Sequence, residues 1–240
     1  MMRQFETLVD VIPGQEFQSG HVEYIDGPHE RRRISFTELH RAALGVLWNF
    51  QKRGLTPGDH LILFTPDNQQ FIDGFWACVL GGIVPVPVAV GISDAHRHKL
   101  IQIVARLGRP FLYTTGPQVA RLEKFAASEG LSVASTVINE RTFTAEHGAD
   151  ISQPGQVHRS ASEDTALIQF SSGSTSEPKG IVLSHANLLA NIRAIIERSR
   201  LTPQDRGLSW MPLTHDMGLI GQHLAQSAAG ISQAIMPTSL

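Results

Sequence analysis

Apolar positions along the chain alternate between two periods. His21-Val22-Glu23-Tyr24-Ile25 repeats every second residue and predicts a strand, turned by Asp26-Gly27-Pro28. Three arginines, Arg31 to Arg33, follow this turn and read as solvated surface. Leu39, Ala42, Ala43, Val46, Leu47 and Phe50 recur at helical spacing behind the capping-box pattern Ser35-Phe36-Thr37-Glu38, and Gly54 stops the helix. His60 to Phe64 reads as a buried strand and about Asn68 to Leu80 as a helix closed by Gly81-Gly82. Ile83 to Val88 is strand-like, with Pro85 and Pro87 confining it to an edge or a strand end. Helices are expected over His96–Leu107 and Gln118–Ser128, and strands over Phe111–Tyr113 and Val133–Ile138.

Strands alternating with helices of this length predict an α/β fold, a mostly parallel sheet flanked by helices. Residues 1–138 form the expected βαβ part, polar residues 139–164 a connecting segment, and 165–240 a second part that carries the chemistry. Within the latter, Ser184 is placed to cap a helix with Leu188, Leu189, Ile192, Ile195 and Ile196 on one face, a packing stripe. Arg193, Glu197 and Arg198 take its other face. Gly221 to Leu240, with Leu224, Ile231, Ile235 and Met236, reads as an exposed apolar patch that invites self-association.

The 240 residues are 42% hydrophobic and 18% charged, with a formal net charge of −2, a balance that argues against nucleic-acid or anionic-membrane partners. The single cysteine, Cys78, lies in an apolar run and reads as a buried thiol. MMRQFETLVD lacks a signal-peptide core, and Ala77 to Val90 is too short and too broken by Gly and Pro to span a bilayer. A cytoplasmic location is expected. His96 and His98, two apart, point to different faces of a helix, which disfavours a metal site between them.

The chemistry concentrates in Thr165–Asn187, TALIQFSSGSTSEPKGIVLSHAN. Strand-like Ala166–Phe170 leads into Ser171-Ser172-Gly173-Ser174-Thr175-Ser176-Glu177, then Pro178-Lys179-Gly180, then strand-like Ile181–Leu183. Gly lets backbone N–H groups turn inward, Ser and Thr add donors, and Lys179 supplies a mobile positive charge, so the loop suits phosphate. It is not a Walker loop, because no Gly-Lys-Ser/Thr leads into a helix. A hairpin is expected to grip the phosphates. Few contacts offset the backbone entropy of Ser171–Glu177, so disorder without nucleotide is expected there.

SSGSTSEPKG resembles the phosphate-loop signature of the adenylate-forming enzymes: acyl-CoA synthetases, fatty acyl-AMP ligases, luciferases and peptide-synthetase adenylation domains. Ser176 stands where that signature usually has Gly. About 40 residues on, Trp210-Met211-Pro212-Leu213-Thr214-His215-Asp216-Met217-Gly218-Leu219-Ile220-Gly221 places a His-Asp pair where a strand gives way to a helix. This stretch resembles the second adenylate-forming signature and is most similar to that of fatty acyl-AMP ligases, with Thr214 replacing a frequent Tyr.

The resemblance implies the N-terminal part of the large domain of an adenylate-forming enzyme. It implies a ligase that uses ATP and Mg²⁺ to activate a fatty or other aliphatic carboxylic acid as acyl-AMP, then passes the acyl group to coenzyme A or an acyl carrier protein. By resemblance Ser172, Gly173, Ser174, Thr175, Ser176, Lys179 and Gly180 hold the ATP phosphates, with Thr175 a candidate Mg²⁺ ligand. His215, Asp216, Met217 and Gly218 line the acyl or carboxylate pocket, and Lys179 and His215 are the candidate catalytic residues. The adenine pocket, ribose partner, Mg²⁺-associated Glu and C-terminal Lys of the family are not found, so the chain reads as an N-terminal piece that folds without catalysing adenylation alone. Two alternatives stand: a catalytically silent nucleotide-binding or interaction module, and an amino-acid adenylation domain. A kinase-like phosphotransferase is disfavoured by the loop.

Overall fold

A computed structural model describes residues 5–14, 20–91, 94–129, 141–144, 153–171 and 178–238. The strands predicted by alternation are present as β1 (His21–Ile25), β3 (His60–Phe64), β4 (Val84–Pro87) and β5 (Phe111–Thr114). The helices are α1 (Val11–Gly14), α2 (Phe36–Lys52), α3 (Asn68–Gly81), α4 (Asp94–Leu107) and α5 (Gly116–Glu129). Ser35 caps α2 as its sequence predicts: its Oγ accepts from the Glu38 N–H at 3.2 Å, and the Glu38 carboxylate accepts from the Ser35 N–H at 2.7 Å. The bonds its carboxylate accepts from the Ser35 N–H and, at 2.8 Å, from the Ser35 hydroxyl hold the Glu38 carboxyl below its ordinary pKa. Asp67 caps α3, and Gly82 ends it in the left-handed region at φ +65°, where a side chain would be strained.

The parallel strands are divided between two sheets. One has the order β4-β3-β5-β6, all parallel, with β6 at Thr142–Thr144. β4 is its edge in the hydrogen-bonding sense, which accommodates Pro85 and Pro87. The other has the order β2-β1-β10-β9, where β2 (Arg31–Ser35) is antiparallel to β1, and β10 (Ser232–Ile235) is parallel to both β1 and β9 (Arg206–Ser209).

Alternation along β3 sorts the core. Leu61 and Leu63 join α2, α3, β1 and β10 in one apolar cluster, whereas Ile62 and Phe64 join Leu100, Ile103, Val104, Leu122 and Ala126 of α4 and α5 in another. α3 therefore lies between the sheets. Phe71, Ile72, Phe75, Trp76, Cys78 and Leu80 are at most 2% exposed, and burial pushes the Cys78 thiol pKa up. The N-terminal turn is fastened to α6 (His185–Ser199): Arg193 donates to the Phe5 carbonyl at 2.7 Å and the Leu8 N–H to His185 Nδ1 at 3.2 Å.

Arg31 to Arg33 are exposed as expected and belong to β2, where Arg32 pairs with Asp26 at 2.9 Å and Arg33 with Glu23 at 3.4 Å. Two expectations change. The segment read as a connection contains β6, paired with β5. Gly221–Leu240 is not an exposed patch: Leu224, Ile231 and Ile235 are at most 2% exposed, because β10 enters the sheet between β1 and β9. Among the described residues the exposed large apolar ones are instead Val157, Ile181, Val182, Leu208, Trp210 and Met217. β9 ends at Ser209, and the chain turns at Pro212–His215. The predicted strand Val133–Ile138 lies outside the described residues. Among the described residues no helix is long and apolar enough to cross a membrane.

Candidate functional site

The phosphate-loop stretch is carried by a hairpin. β7 (Thr165–Ser171) pairs antiparallel with β8 (Lys179–Ser184), in a register that sets Ser171 opposite Lys179 and Phe170 opposite Gly180. β7 also runs beside β4, so the hairpin mouth opens near the carboxyl end of the first sheet, where α/β folds hold ligands. Ser172, Gly173, Ser174, Thr175 and Ser176 lie outside the described residues, as does the expectation about loop order. Lys179 is exposed at the mouth and makes no ion pair with another described residue. Gly180 has a packing reason as well: a Cβ there would stand 3.1 Å from the Phe170 ring.

The second stretch begins where β9 ends. Ser209 Oγ accepts from the Met211 N–H at 3.2 Å, and the Pro212 carbonyl accepts from the His215 N–H at 3.0 Å, making a turn. A π-helical stretch follows over Met217–Leu224 and runs on as α7 (Ala225–Ala229). Asp216 caps it, Oδ1 accepting from the Met217 N–H at 2.7 Å. Asp216 Oδ1 also lies 2.7 Å from His215 Nδ1. His215 Nδ1 accepts from the Met217 N–H at 3.3 Å, an arrangement that in the neutral ring places the hydrogen on Nε2; in the protonated ring the contact with Asp216 is an ion pair. His215 is 61% and Asp216 67% exposed at the side chain, so the pair presents itself to a ligand rather than to the core.

Gly218 and Met217 part company. Met217 is 53% exposed and available to a ligand. Gly218 is buried, and a Cβ on it would stand 2.2 Å from the Pro212 carbonyl oxygen and 2.8 Å from that of Met211. It lets the helix seat on the turn.

The two stretches meet. Gln169 Nε2 donates to the Thr214 carbonyl at 3.4 Å. Beside this tie lies a cleft of about 320 Å³, lined by Pro87, Val88 and Ala89 after β4, by His96, Lys99 and Ile103 of α4, and by Phe170 and Thr214. Lys99 makes no ion pair with another described residue. His215, the next residue after Thr214, stands just outside the lining. Sequence reasoning passed over Gln169, Phe170 and Lys99; the signal for Gln169 was a lone amide inside an apolar strand.

The α/β core thus carries a Lys-bearing hairpin tied to a His-Asp turn at strand ends. The family model described as AMP-binding enzyme matches residues 14–240, and the chain belongs to that family. A medium-chain-fatty-acid–[acyl-carrier-protein] ligase of Teredinibacter turnerae is 29% identical, over 86% of this chain and 37% of its own length. A long-chain-fatty-acid–AMP ligase of Mycobacterium tuberculosis is 27% identical, over 91% of this chain and 38% of its own. The chain thus spans somewhat over a third of the length of these curated relatives. Among solved structures, the adenylation domain of a keto acid-selecting NRPS module bound to keto acyl adenylate superposes with a TM-score of 0.90 at 25% identity, covering 99% of this chain and 42% of that one. A fatty acid AMP ligase from Legionella pneumophila superposes with a TM-score of 0.84 at 24% identity, covering 98% and 40%, which speaks for the fold alone.

Proposed function

We propose that this chain carries the phosphate-gripping and carboxylate-facing part of an ATP-dependent acid ligase that makes acyl-AMP. The observation that carries the reading is the Gln169–Thr214 hydrogen bond, which fixes the hairpin bearing Lys179 against the turn bearing His215. The residues fit ATP: Lys179 is an exposed cation at the loop mouth, and Ser172 to Ser176 supply the donors. Mg²⁺ would ride on the phosphates with Thr175 as a protein ligand, since Mg²⁺ keeps several waters and needs few side chains. Bound ATP supplies the electrophilic α-phosphorus, which a carboxylate oxygen attacks as the bond to pyrophosphate breaks.

Two anions must meet in that step, so positioning and charge neutralisation dominate it. Lys179 offsets phosphate charge. His215, with Nδ1 held by the Met217 N–H and beside Asp216, faces the carboxylate with Nε2–H as donor. The relatives named as fatty-acid ligases support an aliphatic acid as substrate and coenzyme A or an acyl carrier protein as acceptor.

A solved structure of McyG A-PCP complexed with phenylalanyl-adenylate, which superposes with a TM-score of 0.88 at 25% identity, favours a second reading, amino-acid activation. An amino acid brings an ammonium group that needs a buried partner, and the acidic residue at the turn, Asp216, is 67% exposed. The test is ATP–pyrophosphate exchange by the whole protein with fatty acids and amino acids in parallel. Exchange with fatty acids and little with amino acids is expected. The reverse pattern supports the second reading, and ATP binding without any exchange supports a silent module.

A further inference from the structure

Behind the exposed His215–Asp216 pair, the same helix carries a second histidine of opposite character. His223 is 1% exposed and bonded on both ring nitrogens. Trp76 Nε1, from the middle of α3, lies 2.9 Å from His223 Nε2. Indole N–H can only donate, so Nε2 must accept and the hydrogen of the neutral ring sits on Nδ1. Nδ1 then donates to Gln233 Oε1 on β10 at 2.8 Å, and Gln233 Nε2 donates onward to Ser227 Oγ on α7 at 3.0 Å. Each donor in this chain of three bonds has one acceptor, with no alternative direction. Burial lowers the His223 pKa to about 4, partly offset by the Gln233 bond, so the ring stays neutral near pH 7.

These bonds join three elements to the one helix whose N-terminus presents His215. The helix is π-wound over Met217–Leu224, a winding uncommon beyond a single turn and associated with functional sites. Its ordinary hydrogen-bond register therefore does not by itself fix where its first residues point. Gly218 fits against the Pro212 carbonyl at one end, and His223 pins the other.

We propose that His223 is a positioning residue for His215: locked as the Nδ1–H tautomer between Trp76 and Gln233, it sets the rotation and depth of the 217–224 helix and so the aim of the His215–Asp216 pair. The proposal rests on the reading of His215 as the carboxylate-facing residue. It adds a specific internal partner that the exposed motif does not reveal.

The test uses the whole protein with ¹⁵N-labelled histidine, comparing the parent with His223→Gln, His223→Leu, His215→Ala and the double variant. The expected ring spectrum of His223 shows Nδ1 protonated and Nε2 accepting, with the His215 resonances moved in His223→Leu. In pyrophosphate exchange, His223→Leu should lower kcat by about 10- to 100-fold while KM for ATP stays within about twofold, as expected of misaimed but intact machinery. His223→Gln, whose amide oxygen can accept from Trp76, should recover most of the loss. Adding His223→Leu to His215→Ala should cost no more than about twofold further, because residues acting through one another are not additive. An Nε2–H tautomer, unmoved His215 resonances in a folded His223 variant, or a full multiplicative loss in the double variant would overturn it. If the Leu variant does not fold, the parent tautomer and the Gln variant decide. If the parent shows no exchange, the ligase reading fails, and the tautomer and the His215 shift still decide the positioning.

Discussion

Gln169 Nε2 donates to the backbone carbonyl of Thr214 at 3.4 Å, across 45 residues of sequence. One partner stands two residues before Ser171, where β7 ends, the other directly before His215. Replacing Gln169 by Ala should lower stability by only about 0.5–1.5 kcal/mol, because Thr214 is part-exposed and water can take its carbonyl. Gln169→Glu should be worse, since its carboxylate opposes a carbonyl. In both variants kcat for pyrophosphate exchange is expected to fall further than melting temperature suggests. Parent-like exchange in Gln169→Glu would show that the two segments align without this bond.

Lys179 is exposed and makes no ion pair with another described residue. Lys179→Ala should therefore leave stability within about 0.5 kcal/mol of the parent. Losing a preorganised positive charge at the phosphates should raise the adenylation barrier by roughly 2–4 kcal/mol. Thermal melts and exchange rates on the same preparation separate the two. Unchanged exchange would mark the hairpin as structural.

Much of the architecture was legible where local chemistry decides it. The bounds of β3 and the caps of α2 and α6 follow from burial on both faces and from Ser35 with Glu38 and Ser184 with Asn187. The division into two sheets was not legible, because strand order depends on pairings such as Val22 with Gln233, 211 positions apart. Ile231 and Ile235 looked like an exposed patch for the same reason: nothing local says that β10 is inserted between β1 and β9. At the site, the His-Asp pair could be read from its motif, whereas the buried role of Gly218 could not. That role exists only once the turn at Pro212 folds back over the helix.

Gly218 and Gly221 sit three residues apart on one helix and should respond oppositely to alanine. At Gly218 the new Cβ would stand 2.2 Å from a backbone oxygen, so the helix or the turn must move. A cost of about 1–3 kcal/mol or more is expected from such overpacking. At Gly221 the nearest atom is Met217 Sδ at 3.1 Å, the end of a flexible side chain. There the gain in helix propensity, about 0.5–1 kcal/mol, should leave Gly221→Ala neutral or stabilising. Denaturant unfolding of both variants is the check, and equal behaviour would refute the seating of the helix on Pro212.

The last prediction concerns pH, where two buried groups pull in opposite directions. Asp73 Oδ1 is buried without a hydrogen-bond partner, and burial, then the nearby Asp67 charge, raises its pKa from 3.8 to about 7 against the opposing Gln69 bond and Arg32. The folded state therefore holds this proton more tightly than the unfolded one. Its contribution to stability is complete below about pH 4 and is lost as pH rises through 7. For His223 the folded pKa, about 4, lies below the ordinary 6.5, so its contribution is present above pH 6.5 and is lost as pH falls through 4. The parent should thus lose stability at both ends. Asp73→Asn removes only the alkaline loss, since its amide cannot ionise. The variant should match the parent more closely at pH 5 and exceed it by on the order of 2 kcal/mol at pH 8. Urea unfolding from pH 5 to 8 measures this directly. Parallel stability curves for parent and variant across that range would mean that Asp73 is not the buried, proton-holding group its environment implies.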